Sequence, residues 1–500
     1  MLRWRKNGRR MVYSVLGHAA GKGAELLEGS LRRPRAVPII VLLVWACAVL
    51  PNLTLHSFIW EEGTNAEIAR DVLAHGHFLV PIVYGIPWLE KPSLLPWLIA
   101  GVAAVTGQVN EWSARLPAMI SVLLTALMVQ GLTRRYASLQ ASLFAALCFL
   151  FAPLLLQKLA IAEPDTLITL LSFAAFLVWW NGIAAGGVSI LRWIVCGLLL
   201  AALVMAKGPQ PARFFALGTA AYLMVERRWR DLPGWLLCMI VPLAAAIAWG
   251  VAVYQTGVEA TWLSYARLTT PPTLHGYIAS NSYSAVSLIL QMLPATLILP
   301  FVVSARRQEP TGLATALLLY SSVCLAALMV WPGFNPRYAM PIAPALAVLA
   351  GWGWDWLAKS NYFLFRWIAG TMLCALIAYR LVLVAVIMPV FSDRFGASRN
   401  DGMMLERALD GDPAPAYCFG LSTNQLFYVR RPLRCLDEAG QKSLNPPAWL
   451  LIPSPHRSAV RAAQARSRSP VGSRNGFGTA TGRRAHRQKV RREITRGITT

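Results

Sequence analysis

Between residues 38 and 390 the chain returns repeatedly to apolar stretches of about 20 residues, and this recurrence restricts its folds more than any other feature. The clearest stretches are 38–55, 115–132, 138–156, 233–253, 285–304, 312–331 and 364–390, with weaker ones at 166–182, 191–206, 212–225 and 338–357. A helix needs roughly 18 to 20 residues to cross hydrocarbon, and within a bilayer only helices and closed barrels satisfy their own backbone hydrogen bonds. The pattern predicts an all-α polytopic membrane protein with about eleven transmembrane helices plus juxtamembrane helices. Composition agrees, because 56% of the 500 residues are hydrophobic and only 14% are charged, too few for an ordinary soluble surface.

The net charge of +24 would suit a nucleic-acid binder only if the basic residues formed a stripe on one domain. They lie instead in blocks between apolar runs, which argues against nucleic acid and for membrane lipids as the surrounding partner. Nine Lys and Arg residues precede the first span. Since Lys and Arg favour cytoplasmic loops, the N-terminus is expected in the cytoplasm. The first span lacks a small-residue cleavage site and reads as a retained anchor. Alternating from there puts Arg134-Arg135, the "ERRWR" run at 226–230, Arg306-Arg307 and the 359–366 linker on the cytoplasmic side. The same parity makes 92–107 a juxtamembrane or re-entrant helix.

Four regions follow. Residues 1–37 form a basic cytoplasmic N-terminus, and 38–390 a transmembrane domain whose first outer loop is 56–92. Residues 391–455 read as a small C-terminal α/β extracytoplasmic domain, from short strand-like runs "APAYCFG", "QLFYVRRPLRCLD" and "PAWLLIPS". The Arg-, Ser- and Gly-rich stretch 456–500 lacks apolar periodicity and reads as disordered, or as a tail for lipid headgroups. Cys418 and Cys435 fall in the extracytoplasmic domain, where an oxidising compartment would allow them to pair.

The outer loops collect the charged residues: Glu61, Glu62, Glu67, Glu90, Lys91, Glu163, Asp165, Lys207, Arg267 and Arg337. A transporter would place ionisable groups near the midplane. Here they gather at one surface, so the expected site faces outward at headgroup depth. Glu61 and Glu62 precede a helix start, where the dipole favours ionised carboxylates suited to general-base work. Thr64-x-x-Glu67 reads as a capping box, which gives Glu67 a structural explanation. Lys91 reads as a phosphate ligand or a snorkelling lysine, Asp165 as a cap or a site carboxylate, and Lys207 as a helix-end charge or a ligand. Three cations on one face, Lys91, Lys207 and Arg337, suit a phosphate. His75, His77 and His275 read as interfacial residues, not metal ligands.

Six segments, "EEGTNAEIARDVL", "EKPSLLPWL", "WSARLPAMI", "AEPDTLITL", "AKGP" and "RYAMPIAPALAVLAG", occur in this order. Together they resemble the GT-C glycosyltransferases of family 39, the protein-mannosyltransferase and aminoarabinose (lipid A) transferase type. The resemblance implies an inverting glycosyltransferase of the bacterial inner membrane with an extracytoplasmic site. Such an enzyme moves a hexosyl or pentosyl group from a polyprenyl-phosphate donor to a lipid A, protein or glycolipid acceptor. It also implies catalytic roles for Glu61, Glu62 and Asp165, with Glu61 as base. Lys91, Lys207 and Arg337 would bind the donor phosphate, with Glu67, Glu90 and Arg267 in support. No cofactor is called for; a divalent metal at Glu90 is disfavoured because the run "TWLSYAR" that leads to Arg267 lacks an acidic or histidine residue. The alternatives are a polytopic lipid or polysaccharide exporter and a non-catalytic GT-C relative.

Overall fold

The computed structural model describes residues 35–256, 273–306, 312–330, 334–360, 362–410, 412–436, 448–453 and 460–465. Five helices among them are long and apolar enough to cross a membrane: Glu111–Tyr136, Pro164–Ala184, Ile190–Lys207, Trp229–Tyr254 and Leu364–Val390. Shorter apolar helices stand between them, at Ala36–Val49, Leu94–Thr106, Leu139–Phe151, Ala212–Val225 and Leu313–Met329. Their packing mixes buried and lipid-facing positions. Within the most apolar window of Glu111–Tyr136, 61% of residues are buried in the protein, against 17% in Leu364–Val390, so the first is central and the second peripheral. The exposed faces carry Ile240, Leu243 and Ile247, as a bilayer requires of a helix whose polar backbone is satisfied internally.

Helix contacts rely on small residues, since lipid removes the hydrophobic drive between helices and close approach must supply the attraction. Ala212–Val225 packs on Leu313–Met329. A Cβ at Gly218 would come within 2.7 Å of the Tyr320 ring. Ala295–Arg306 packs on Ala343–Ala358 through Gly353, where a Cβ would meet Ile298 Cγ2 at 2.3 Å.

One element differs from the sequence expectation. The stretch 285–304, expected as one crossing, is two helices, Leu274–Gln291 and Ala295–Val302, bent by 95°. The break falls at Pro294, which has no N–H for the helical ladder and whose ring clashes with the preceding turn. Segment 92–107 forms Leu94–Thr106, whose 13 residues span only about 20 Å, short of the roughly 30 Å hydrocarbon thickness.

The C-terminal part holds a four-stranded sheet. Ala416–Cys418 lies parallel to both Leu433–Cys435 and Ala448–Pro453, and the latter pairs antiparallel with Val460–Ala465. Cys418 and Cys435 stand opposite each other in register and form a disulfide. Strand Val460–Ala465 lies beyond residue 455, so the boundary drawn from composition cuts through a strand pair. The N-terminal stretch 1–34 and the tail 466–500 lie outside the described residues.

This part docks on the helix that opens the first loop, Glu62–His75. The amide of Gly63 donates to Asn424 Oδ1 at 2.8 Å, and a Cβ there would meet the Asn424 backbone at 2.7 Å, so only glycine allows the approach. The Arg70 guanidinium covers the Phe427 ring at 4.0 Å.

Candidate active site

Glu61 is the residue just before helix Glu62–His75, and the helix places the two neighbouring carboxylates in opposite situations. Glu62 is fully buried. Its Oε1 accepts from Arg115 Nε and the Ala162 amide, both at 2.8 Å, and its Oε2 accepts from Arg115 Nη2 at 2.8 Å and the Ile59 amide at 3.2 Å. All four acceptor positions of the carboxylate are thus used. Arg115 also donates to the carbonyls of Leu53, His56 and Ser57, at 2.6, 2.9 and 3.2 Å. The sequence reading grouped Glu62 with the catalytic carboxylates, but its contacts pin the start of the first loop to helix Glu111–Tyr136.

Glu61 faces the other way. Its carboxylate pairs with Lys91, which also contacts Glu90 at 3.2 Å. Burial alone would raise the Glu61 pKa, but Lys91, with Lys207 and Arg337 further off, outweighs burial and holds the carboxyl below its ordinary value. Burial would lower Lys91, and Glu61 and Glu90 raise it instead. The tertiary fold therefore joins the two ends of the loop, 30 residues apart.

A second wall comes from the helix Pro164–Ala184. Asp165, 1% exposed, pairs with Lys207 at the end of Ile190–Lys207, so its carboxylate is engaged in an ion pair. Gly208 follows with φ of 78° and ψ of −173°, a conformation open to glycine that ends the helix at the lysine. Lys207 lies 5.2 Å from the Tyr338 ring, and Arg337 at 5.4 Å from the same ring. Arg337 Nε is buried with no hydrogen-bond partner among the described residues. Burial would lower the Arg337 pKa, but Asp165, Tyr338 and Glu61 outweigh it and raise it.

Lys158, Arg115 and Trp60 were not picked out from the sequence, and Glu163 only as one of the outer-loop charges. Lys158 pairs with Glu163 and sits 3.9 Å above the Trp60 ring. Burial raises the Glu163 carboxyl, outweighing Lys158, and its Oε1 has no partner among the described residues. Trp60 is 54% exposed and held at φ of 51°, a left-handed conformation unusual for a bulky side chain and the kind of local strain that clusters at ligand sites. Only "KLAIAEPD", a lysine and two acids around a proline, hinted at the second wall.

The remaining expectations divide. Thr64 and Glu67 do not form a capping box: the helix begins at Glu62, so Thr64 lies inside its first turn and its hydroxyl bonds Thr423 at 2.8 Å. Glu67 instead pairs with Arg70 at 2.8 Å. Burial, the largest effect on it, raises its pKa. Arg267 lies outside the described residues. His275 is exposed at the start of helix Leu274–Gln291. Asp71 joins His75 at 2.9 Å and His77 at 2.8 Å on the exposed end of the first-loop helix, a set of groups with metal-ligand chemistry that does not include Glu90.

What the arrangement offers chemically is a set of cations, each now satisfied by a protein carboxylate or left with an open donor, around an ionised glutamate. A phosphate entering this space would compete with Glu61 and Asp165 for Lys91 and Lys207, and Arg337 Nε is a further donor without a partner among the described residues.

Comparison with known proteins agrees with the fold. Residues 90–251 match the family model described as dolichyl-phosphate-mannose-protein mannosyltransferase. Over 325 residues the chain is 26% identical to the undecaprenyl phosphate-alpha-4-amino-4-deoxy-L-arabinose arabinosyl transferase of Pseudomonas aeruginosa, covering 62% of this chain and 58% of that protein. The transferase of the same description from Enterobacter is 27% identical over 330 residues, with 62% and 58% covered. The chain thus spans less than two thirds of the length of the curated relatives it matches. Among solved structures, ArnT from Cupriavidus metallidurans bound to undecaprenyl phosphate superposes with a TM-score of 0.64 at 18% identity, covering 83% of this chain and 92% of that one. The apo form of that ArnT gives 0.62 at 18% identity. By fold and by sequence the chain is a multi-pass membrane protein similar to the GT-C glycosyltransferases of the ArnT and protein-mannosyltransferase type.

Proposed function

We propose that the protein is an inverting glycosyltransferase that moves a sugar from a polyprenyl-phosphate carrier to an acceptor oxygen at the outer face of the bacterial inner membrane. The observation that carries this reading is the gathering of Lys91, Lys207 and the unpartnered Arg337 Nε around Glu61. A phosphate is already a good leaving group, so the site needs cations for its developing charge and a base for the acceptor proton. When the donor phosphate takes over Lys91, Glu61 loses its partner and becomes more basic. The acceptor oxygen then attacks the anomeric carbon, its proton passes to Glu61, and the bond from that carbon to the phosphate oxygen breaks. Lys207 and Arg337 stabilise the departing phosphate, and Asp165 positions Lys207. Glu62 is a positioning residue that acts through Arg115. Lipid A is the acceptor class favoured by the similarity to the arabinosyl transferases, and a 4-amino-pentose the favoured sugar.

The test is transfer by the purified protein from undecaprenyl-phosphate-linked sugars to lipid A. A sugar-modified lipid is expected; absence of turnover with every donor, together with donor movement across vesicles, would favour an exporter. The orientation assigned here has its own check. A single cysteine introduced at 134–136 is expected to resist an impermeant thiol reagent added from outside and to react once the membrane is opened. Labelling in intact cells would overturn the topology.

A further inference from the structure

Beside the first loop, and lined by none of Glu61, Lys91, Lys207 and Arg337, lies a cavity of about 390 Å³. Its wall is largely hydrocarbon, with Leu156, Leu376 and Met388 among the lining residues, and its polar groups include His56, Arg115 and Arg380. Arg115 has its counter-charge in Glu62. Arg380 does not: it is 7% exposed, and among the described residues no carboxylate pairs with it. Its one hydrogen bond there runs from Nε to the Ala48 carbonyl at 3.0 Å. That bond caps the end of Ala36–Val49 and uses one of the five guanidinium donors.

An arginine in this position needs an explanation. Arg380 stands ten residues before the end of the span Leu364–Val390, with its guanidinium held inside the protein beside the end of Ala36–Val49, where the first loop begins. A buried charge without a partner is costly, and an ionisable residue inside a membrane span usually serves a ligand or pathway. The backbone next to it is also irregular. Residues Leu383–Ile387 form a π-helical turn, a feature frequent at functional sites. The Val384 carbonyl there accepts from Asn52 at 2.8 Å, which ties the turn to the loop that forms the cavity rim.

We propose that this cavity binds an anionic amphiphile, with a phosphate or carboxylate headgroup on the Arg380 guanidinium and the hydrocarbon chain against the apolar wall. The site is separate from the candidate donor site and does not rest on the transfer reading. Its occupant would supply the charge that Arg380 lacks and would brace Ala36–Val49, the first loop and Leu364–Val390 against one another.

The test uses the full-length protein in a neutral maltoside detergent, titrated with decyl phosphate, decanoate and decanol and followed by native mass spectrometry. Both anionic probes are expected to bind at least about tenfold more tightly than decanol, as a charge-assisted bond implies. Preference for decyl phosphate alone would point to a phospholipid or prenyl phosphate, and equal binding of decanoate to a fatty acid. Arg337→Met, which weakens the donor site, should leave tight binding in this cavity intact, and adding Arg380→Met to it should reduce both anions to the level of decanol. In the same background Arg380→Lys should retain the preference, and Leu376→Trp, which fills the cavity, should remove binding of all three while the charge remains. Decyl phosphate binding that is unchanged in both Arg380→Met and Leu376→Trp would overturn the proposal. So would binding lost in Arg337→Met and kept in Arg380→Met.

Discussion

Glu61→Gln is expected to lower transfer by about 10²- to 10⁴-fold, the range in which a positioned general base contributes, with donor binding nearly unchanged. The substitution keeps the shape of the side chain and removes its ability to accept a proton. It also removes the carboxylate that competes with the donor phosphate for Lys91, so donor affinity should hold or rise. Initial rates and donor titrations on the same preparation separate the two effects. Glu163→Gln is the informative companion, because Glu163 has a raised pKa and a buried oxygen without a partner. If Glu163→Gln abolishes transfer while Glu61→Gln retains it, the base is Glu163. The pH dependence carries a sign as well. Since Lys91 holds the Glu61 carboxyl below its ordinary value, the free-enzyme acid limb of the rate should lie below the usual carboxylate range. In Lys91→Met, burial acts with less opposition, the carboxyl pKa rises, and the acid limb should move upward.

Glu62→Ala should destabilise the protein by about 3–5 kcal/mol, the cost of breaking a buried ion pair from one side. Removing the carboxylate leaves the Arg115 guanidinium, 1% exposed, facing only carbonyl oxygens, and it also strands the Ala162 and Ile59 amides. Thermal unfolding in detergent would show a large downward shift. Arg115→Leu should be as damaging, and the double variant Glu62→Leu/Arg115→Leu less so than the two effects added, because each single change leaves the other charge unpaired. A Glu62→Ala protein as stable as wild type would mean that the first loop is not anchored by this pair.

The architecture and the cations were readable because each leaves a local mark. Crossings show as apolar runs, and Lys91, Lys207 and Arg337 show as charges at the edges of such runs. What was not readable is who partners whom. The contrast between Glu61 and Glu62 depends on Arg115, 53 residues after Glu62, and nothing in adjacent glutamates says which of the two will be turned into the core. The supposed capping box failed for the same reason: the Thr64 hydroxyl found Thr423, 359 residues away. Lys158 passed unnoticed because its roles, pairing with Glu163 and stacking on Trp60, appear only once the two loops fold together. Strand Val460–Ala465 was missed because its sequence, "VRAAQA", has a single β-branched residue, Val460, and no aromatic one, and pairing with Ala448–Pro453 decides it instead.

The central claim is that these cations receive the phosphate of a polyprenyl carrier, and the most direct measurement is the affinity of the purified protein for undecaprenyl phosphate in wild type, Lys91→Met, Lys207→Met and Arg337→Met. A charge-assisted hydrogen bond is worth about 1.5–3 kcal/mol, so each substitution should weaken binding by about 10- to 150-fold. Binding within twofold of wild type in all three variants would contradict the account.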